Sequence, residues 1–137
     1  MSEKPTPAEL DEGTLAFAGR MFDLARNGGD EILAEQLDSG LPVNLTNDKG
    51  DTLLILAAYH QHADTVRALL ARGADTSRIN DRGQTALAAA VFRRSGGIVT
   101  ELLAAGADPE SGSPSARETA VFFELTDMSD LLPPPGA

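Results

Sequence analysis

Five short segments of this 137-residue sequence carry residue types suited to ligation or catalysis. His60-Gln61-His62 is a histidine pair. Two imidazoles two positions apart share a face only in an extended strand. Here they fall at an expected helix end and turn, where i and i+2 side chains point apart. A metal centre also needs a third and fourth ligand with supporting partners, and no further ligand has a clear place. Ser95-Gly96-Gly97 and Asn27-Gly28-Gly29 have the glycine content of phosphate loops. They lack the preceding strand and following lysine of a phosphate cradle, and tight turns between helices account for both. The carboxylate pairs Asp11-Glu12 and Asp30-Glu31 fall at expected helix starts, where acids favour the helix dipole. There is no cysteine, which excludes a thiol nucleophile, a disulfide framework and a zinc finger. No serine sits in a glycine-flanked elbow. The expectation is a protein that is not an enzyme and holds no metal or cofactor.

Charge narrows the partners. Eleven Lys and Arg against 21 Asp and Glu give a net charge of −10. That argues against nucleic acid, whose binding draws on a basic face that releases counterions, and against anionic membrane surfaces. The longest apolar run, Leu53 to Tyr59, is seven residues, far below the roughly 20 that span a bilayer. The start, Met1-Ser2-Glu3-Lys4-Pro5, shows no secretory signal, so a cytoplasmic protein is expected. With five Phe, one Tyr and no Trp, the core must be built from 21 Ala and 18 Leu. That composition suits closely stacked helices rather than a β-sandwich.

A 33-residue period organises these helices. Gly40, Gly73 and Gly106 follow it, as do Thr52 and Thr85, Leu54 and Leu87, Ala57 and Ala90, and Val66 and Val99. Segments 47–79 and 80–112 are identical at 13 of 33 positions, all apolar, small or turn residues apart from a few polar ones at the hairpin. Such a pattern marks a repeat architecture. Thr52 and Thr85 are N-caps for a short first helix. Val66, Leu69 and Leu70 recur at helical spacing and form a second helix. Gly73 and Gly106 stand where a left-handed C-cap ends it. Leu70 is assigned to the core, so Leu70→Ala is expected to cost roughly 2–5 kcal/mol.

Asn47-Asp48-Lys49-Gly50-Asp51-Thr52-Leu53-Leu54 and Asn80-Asp81-Arg82-Gly83-Gln84-Thr85-Ala86-Leu87 resemble the opening of the ankyrin repeat. Leu69-Leu70-Ala71-Arg72-Gly73-Ala74-Asp75 and Leu102-Leu103-Ala104-Ala105-Gly106-Ala107-Asp108 resemble its ending. The family's Thr-Pro-Leu-His tetrad appears as Thr52-Leu53-Leu54-Ile55 and Thr85-Ala86-Leu87-Ala88, without the Pro and the His. The resemblance implies an all-α fold, an α-solenoid of about four repeats at 14–46, 47–79, 80–112 and 113–132. Residues 1–13 are a lead-in and 133–137 a C-terminal tail, with 1–6 and 133–137 expected to be mobile. In the first repeat Met21, Phe22, Leu24 and Ala25 form the inner helix, and Ile32, Leu33 and Leu37 the outer one. In the last, Ser115-Ala116-Arg117-Glu118 is a capping box, and Val121, Phe122, Phe123 and Leu125 are expected to bury one side. Its register fits 33 or 34 residues equally well. The resemblance also gives His62 a structural role.

Acid gathers at the ends: residues 1–45 carry net −6 and residues 109–137 net −4, while 46–108 balance. Solubility of the two caps explains this. An acidic mimic that captures a basic partner is the sharper alternative.

Stacked repeats leave a strip of hairpins and inner helices, where the resemblance implies that a partner protein binds. Carried over by position, the contact residues are Arg26 and Asn27 in the first repeat. In the second they are Asp48, Lys49, Asp51, Tyr59 and His60, and in the third Asp81, Arg82, Gln84, Phe92 and Arg93. Tyr59 and Phe92, one period apart, should stand side by side, flanked by Arg26, His60 and Arg93. An aromatic pair with arginines has the composition of an interface hot spot, and simple packing of helix ends is its bland counterpart. The resemblance thus implies a non-catalytic protein–protein interaction module, a scaffold, adaptor or inhibitor, and the polar caps at both ends make a monomer the expectation. A second reading, from likeness to small bacterial ankyrin proteins near catalases, is an accessory factor for an oxidative-stress enzyme.

Overall fold

Residues 12–136 are described by the computed structural model. The expected tail at 1–6 and the carboxylate of Asp11 lie outside them. Eight helices follow one another: α1 (Glu12–Asn27), α2 (Asp30–Asp38), α3 (Leu53–Tyr59), α4 (Ala63–Ala71), α5 (Ala86–Phe92), α6 (Gly96–Ala104), α7 (Ala116–Phe122) and α8 (Thr126–Leu131). Among the described residues β structure is confined to two isolated bridges, Thr46 with Thr52 and Gly112 with Ser115.

The helices form two layers. The odd-numbered helices pack in sequence, α1 on α3 on α5 on α7, and the even-numbered ones do the same behind them. The inner layer is nearly solvent-free at its centre. Every residue from Leu53 to Ala58 and from Ala86 to Val91 is buried. Alanine at 57, 58, 86 and 88–90 keeps side chains short, so neighbouring backbones approach closely and the small aromatic content suffices. The outer helices contribute a stripe, with Val66 and Leu69 in α4 and Val99 and Leu102 in α6 fully buried.

Local signals explain where helices begin and end. The Thr52 hydroxyl accepts from the Ile55 amide at 3.0 Å, and Thr85 repeats this with Ala88. Ser115 and Glu118 close a reciprocal capping box. Ile55 and Ala88, which stand where the family carries His, are buried apolar residues. At the other end, Gly73 and Gly106 have φ of 83° and 94°. That conformation lets Ala74 and Ala107 donate back to the carbonyls of Leu69 and Leu102 at 3.1 and 3.0 Å.

Four expectations are corrected. Leu70 is only half-buried; Leu69 is the residue sealed in the core. Ile32 projects into solvent, with no outer helix before α2 among the described residues to cover it, and Leu33 is buried instead. The last repeat is neither 33 nor 34 residues on. Ser115 caps α7 30 residues after Thr85 caps α5, against 33 between Thr52 and Thr85. Val121, Phe122 and Phe123 are 68%, 78% and 49% exposed, so they bury no face. Ala116, Thr119 and Ala120 seat α7 on α5, and no further inner helix among the described residues covers its outer side.

Candidate functional site

Four equivalent positions close the inner helices: Arg26-Asn27, Tyr59-His60, Phe92-Arg93 and Phe122-Phe123. The next residue in each case, Gly28, Gln61, Arg94 and Glu124, has φ between 55° and 79° and turns the chain into the outer helix. Because α1, α3, α5 and α7 stack, these pairs form adjacent columns. The Tyr59 and Phe92 rings are 6.3 Å apart and nearly parallel at 13°. Phe92 meets Phe123 edge-on at 5.3 Å, and Phe123 meets Phe122 at 4.9 Å. The run of four rings is continuous across three repeats. The Arg93 guanidinium stands 5.1 Å from the Tyr59 ring, within range of a cation–π contact, and the His60 ring abuts Tyr59 edge-on.

The hairpins form the opposite wall. The Asn47 side-chain oxygen accepts from the amides of Lys49 and Asp51 at 3.0 and 2.9 Å, and Asn80 does the same for Arg82 and Gln84. This fold-back by Asn makes each tip a rigid turn. Successive tips are then tied together. The Asp81 amide donates to the Lys49 carbonyl at 3.0 Å and the Ser113 amide to the Gly83 carbonyl at 2.8 Å.

Between the two walls lies a hollow of about 420 Å³ that brings together Arg26, Lys49, Tyr59, His60, Asp81, Arg82 and Gln84. A second hollow, about 270 Å³, continues it past Tyr59, Arg82 and Gln84 to Phe92 and Thr119. A third, about 350 Å³, lies against Pro114, Glu118, Phe122 and Phe123. Three positions of the expected strip stand apart. Asp51 reaches the floor of the first hollow, but it is buried and its carboxylate accepts from Asn80 Nδ2 at 2.8 Å, so it serves the fold. Asn27 lines a groove on the other side of α1, with Phe17 and Leu24. Asp48 is exposed at its tip and lines none of these hollows. Phe122 and Phe123 were missing from the expected strip. The signal for them is the distance from cap to helix end: Thr52 to Tyr59, Thr85 to Phe92 and Ser115 to Phe122 are the same step.

The electrostatics of the first hollow are positive at its α1–α3 end. Burial lowers the pKa of His60, and the charges of His62, Arg26 and Arg93 push it in the same direction. His62 is turned away from any shared ligand: its Nε2 lies 2.7 Å from the Arg26 carbonyl, bracing the end of α1. A side chain at Gly28 would collide with that ring. Among the described residues no group of three or more His, Cys, Asp or Glu is placed to hold a metal ion. Nor is any described helix long and apolar enough to cross a membrane.

A family model described as ankyrin repeats, in three copies, matches residues 21–112, about two-thirds of the chain. An ankyrin repeat protein of Pseudomonas aeruginosa is similar to this chain at 55% identity over 67 residues, 49% of this chain and 39% of that protein. A human protein, ankyrin repeat domain-containing protein 29, is 42% identical over 60 residues, 43% of this chain and 20% of its own length. The chain therefore spans well under half the length of the curated relatives it matches. With the period, the stacked helix pairs and the model match in agreement, this chain belongs to the ankyrin repeat family.

Proposed function

We propose that the chain is a non-catalytic protein-binding module, a scaffold, adaptor or inhibitor, that seats a partner protein on the strip between its hairpin tips and inner-helix ends. Ankyrin repeats generally serve protein–protein interaction, and both relatives are named for those repeats alone. The observation that carries the reading is the continuous run Tyr59–Phe92–Phe123–Phe122 with Arg93 against it. Phe92 is 42% exposed, so this run does not serve packing alone, and aromatic and Arg anchors dominate protein interfaces. The strip comprises Arg26, Lys49, Tyr59, His60, Asp81, Arg82, Gln84, Phe92 and Arg93, extended to Phe122 and Phe123.

The proposal takes the module as a monomer in the cytoplasm, built from residues 14–132, with neither nucleic acid nor membrane as partner. A net charge of −10 supplies no counter-charge for a phosphate backbone. Nothing on the described surface or in the relatives favours the catalase-accessory reading. The test is affinity capture from the native host with identification by mass spectrometry, run with the parent chain and with Tyr59→Ala/Phe92→Ala. The double variant should lose the partner and keep its thermal melt. Retention of the same partner by the double variant refutes the strip.

A further inference from the structure

The strip has different chemistry at its two ends, and that difference specifies an occupant. The first hollow is lined by the cations Arg26, Lys49 and Arg82 and by two carboxylates, the exposed Asp81 and the buried Asp51, which is held by Asn80. Arg26 is engaged by Asp23 at 2.8 Å, but Lys49 and Arg82 form no ion pair with any described residue and their side chains are exposed. At the α5–α7 end the lining is aromatic: Phe92, Phe122 and Phe123, the last two among the most exposed apolar residues of the protein. Gln84 stands between the two ends and lines both hollows. Its side-chain oxygen is buried without a hydrogen-bond donor.

We propose that the occupant is an extended segment of a partner protein with an acidic residue at one end and an apolar or aromatic residue at the other. This rests on the docking strip proposed above and names the chemistry of its partner. The acidic side chain sits between Lys49 and Arg82, and the apolar one lies on Phe92 and Phe122–Phe123. The acidic seat lies between the second and third hairpins and the apolar seat between the third and fourth inner-helix ends, so they are one repeat spacing apart along the stack. At about 8–10 Å per helix pair and about 3.3 Å per extended residue, the acidic and apolar residues stand about three positions apart. A second copy of this chain is a poor occupant. Its residues 109–137 carry net −4, so two aromatic ends would bring like charges together.

A random peptide display library panned against the full chain tests this. Enriched peptides should pair an acidic with an apolar residue at that spacing. Lys49→Glu/Arg82→Glu should weaken them roughly tenfold or more, two charge contacts being lost. Changing the peptide's acid to lysine should restore binding to that variant. Phe122→Ser/Phe123→Ser should weaken the same peptides, and both variants carry changes at exposed positions, with melts that check their fold. Enriched peptides without the acid, or indifferent to the charge reversal, overturn the proposal. If those peptides still fail on Tyr59→Ala/Phe92→Ala, the docking strip stands and only the partner chemistry falls. Peptides bound equally by every variant, or no enrichment at all, overturn both.

Discussion

Asn80 donates its side-chain amide to the Asp51 carboxylate at 2.8 Å, across the boundary between two repeats, and both residues are buried. The same Asn80 accepts from two amides of its own hairpin, so one side chain shapes one turn and ties it to the previous one. Asn80→Ala strands a buried carboxylate oxygen and frees two amides. It should lower stability by about 1.5–3 kcal/mol, the usual range for hydrogen bonds to charged groups, as read by urea denaturation. A shift of the midpoint below a few tenths of a kcal/mol would mean that water replaces the bond without loss.

Leu69 and Leu70 are neighbours in sequence but not in environment. Leu69 is completely buried and Leu70 only half so. Leu69→Ala should therefore cost roughly 2–5 kcal/mol, as a cavity in a close-packed core does, and Leu70→Ala distinctly less. Because repeat arrays fold through coupling between neighbours, the Leu69 variant should also broaden the transition. Equal losses from the two substitutions would contradict the assignment of the core stripe.

His60 offers a pH test. Its pKa is lowered by burial first, then by His62, Arg26 and Arg93; Tyr59 is its other ring neighbour. A depressed value means the unfolded chain binds the proton more readily, so stability is full above the ordinary histidine value near 6.5 and falls as pH drops below it. The carboxylates with resolved shifts, Asp38, Asp75 and Asp127, are themselves lowered and act further down the scale. Between pH 7.5 and pH 5.5 the melting temperature should fall, and His60→Gln should flatten that fall. An unchanged slope in the variant would remove His60 as its source.

The repeat was legible because packing repeats its demands. Thr52 and Thr85 must cap, Gly73 and Gly106 must turn left-handed, and Leu69 and Leu102 must fill the same space, so spacing alone located them. The strip was partly legible for the same reason, since Tyr59 and Phe92 inherit their adjacency from the period. Two things were hidden. Asp51 shares its residue type with the exposed Asp48 and Asp81, and only the placement of Asn80 across the boundary distinguishes it. The last hairpin has no Asn at the equivalent place, and Gly112 instead bridges to Ser115 in a shorter turn. Counting 33 from Phe92 therefore reaches Leu125, whereas the three-residue contraction gives the place to Phe122. Hydrophobicity misled at the same point, because a large apolar residue is a core candidate only where a neighbour arrives to cover it.

The exposure of Phe122, at 78%, sets two forces against each other. Apolar surface in contact with water favours self-association, at roughly 25 cal/mol per Å² covered. The acids around it oppose that: Glu118 and Glu124 are exposed, Asp130 lies on the following helix, and Asp127 is already engaged by Arg94 at 2.8 Å. Repulsion between such charges acts over about 8 Å at physiological ionic strength and about 3 Å at 1 M. The chain should therefore sediment as a monomer at 0.15 M salt and associate progressively as salt is raised. Phe122→Ser should abolish the salt-induced association with little change in the melt, because the side chain is mostly exposed and its ring contact is with Phe123, itself half-exposed. Association that persists in Phe122→Ser, or that weakens with salt, would place the contact on a charged surface elsewhere.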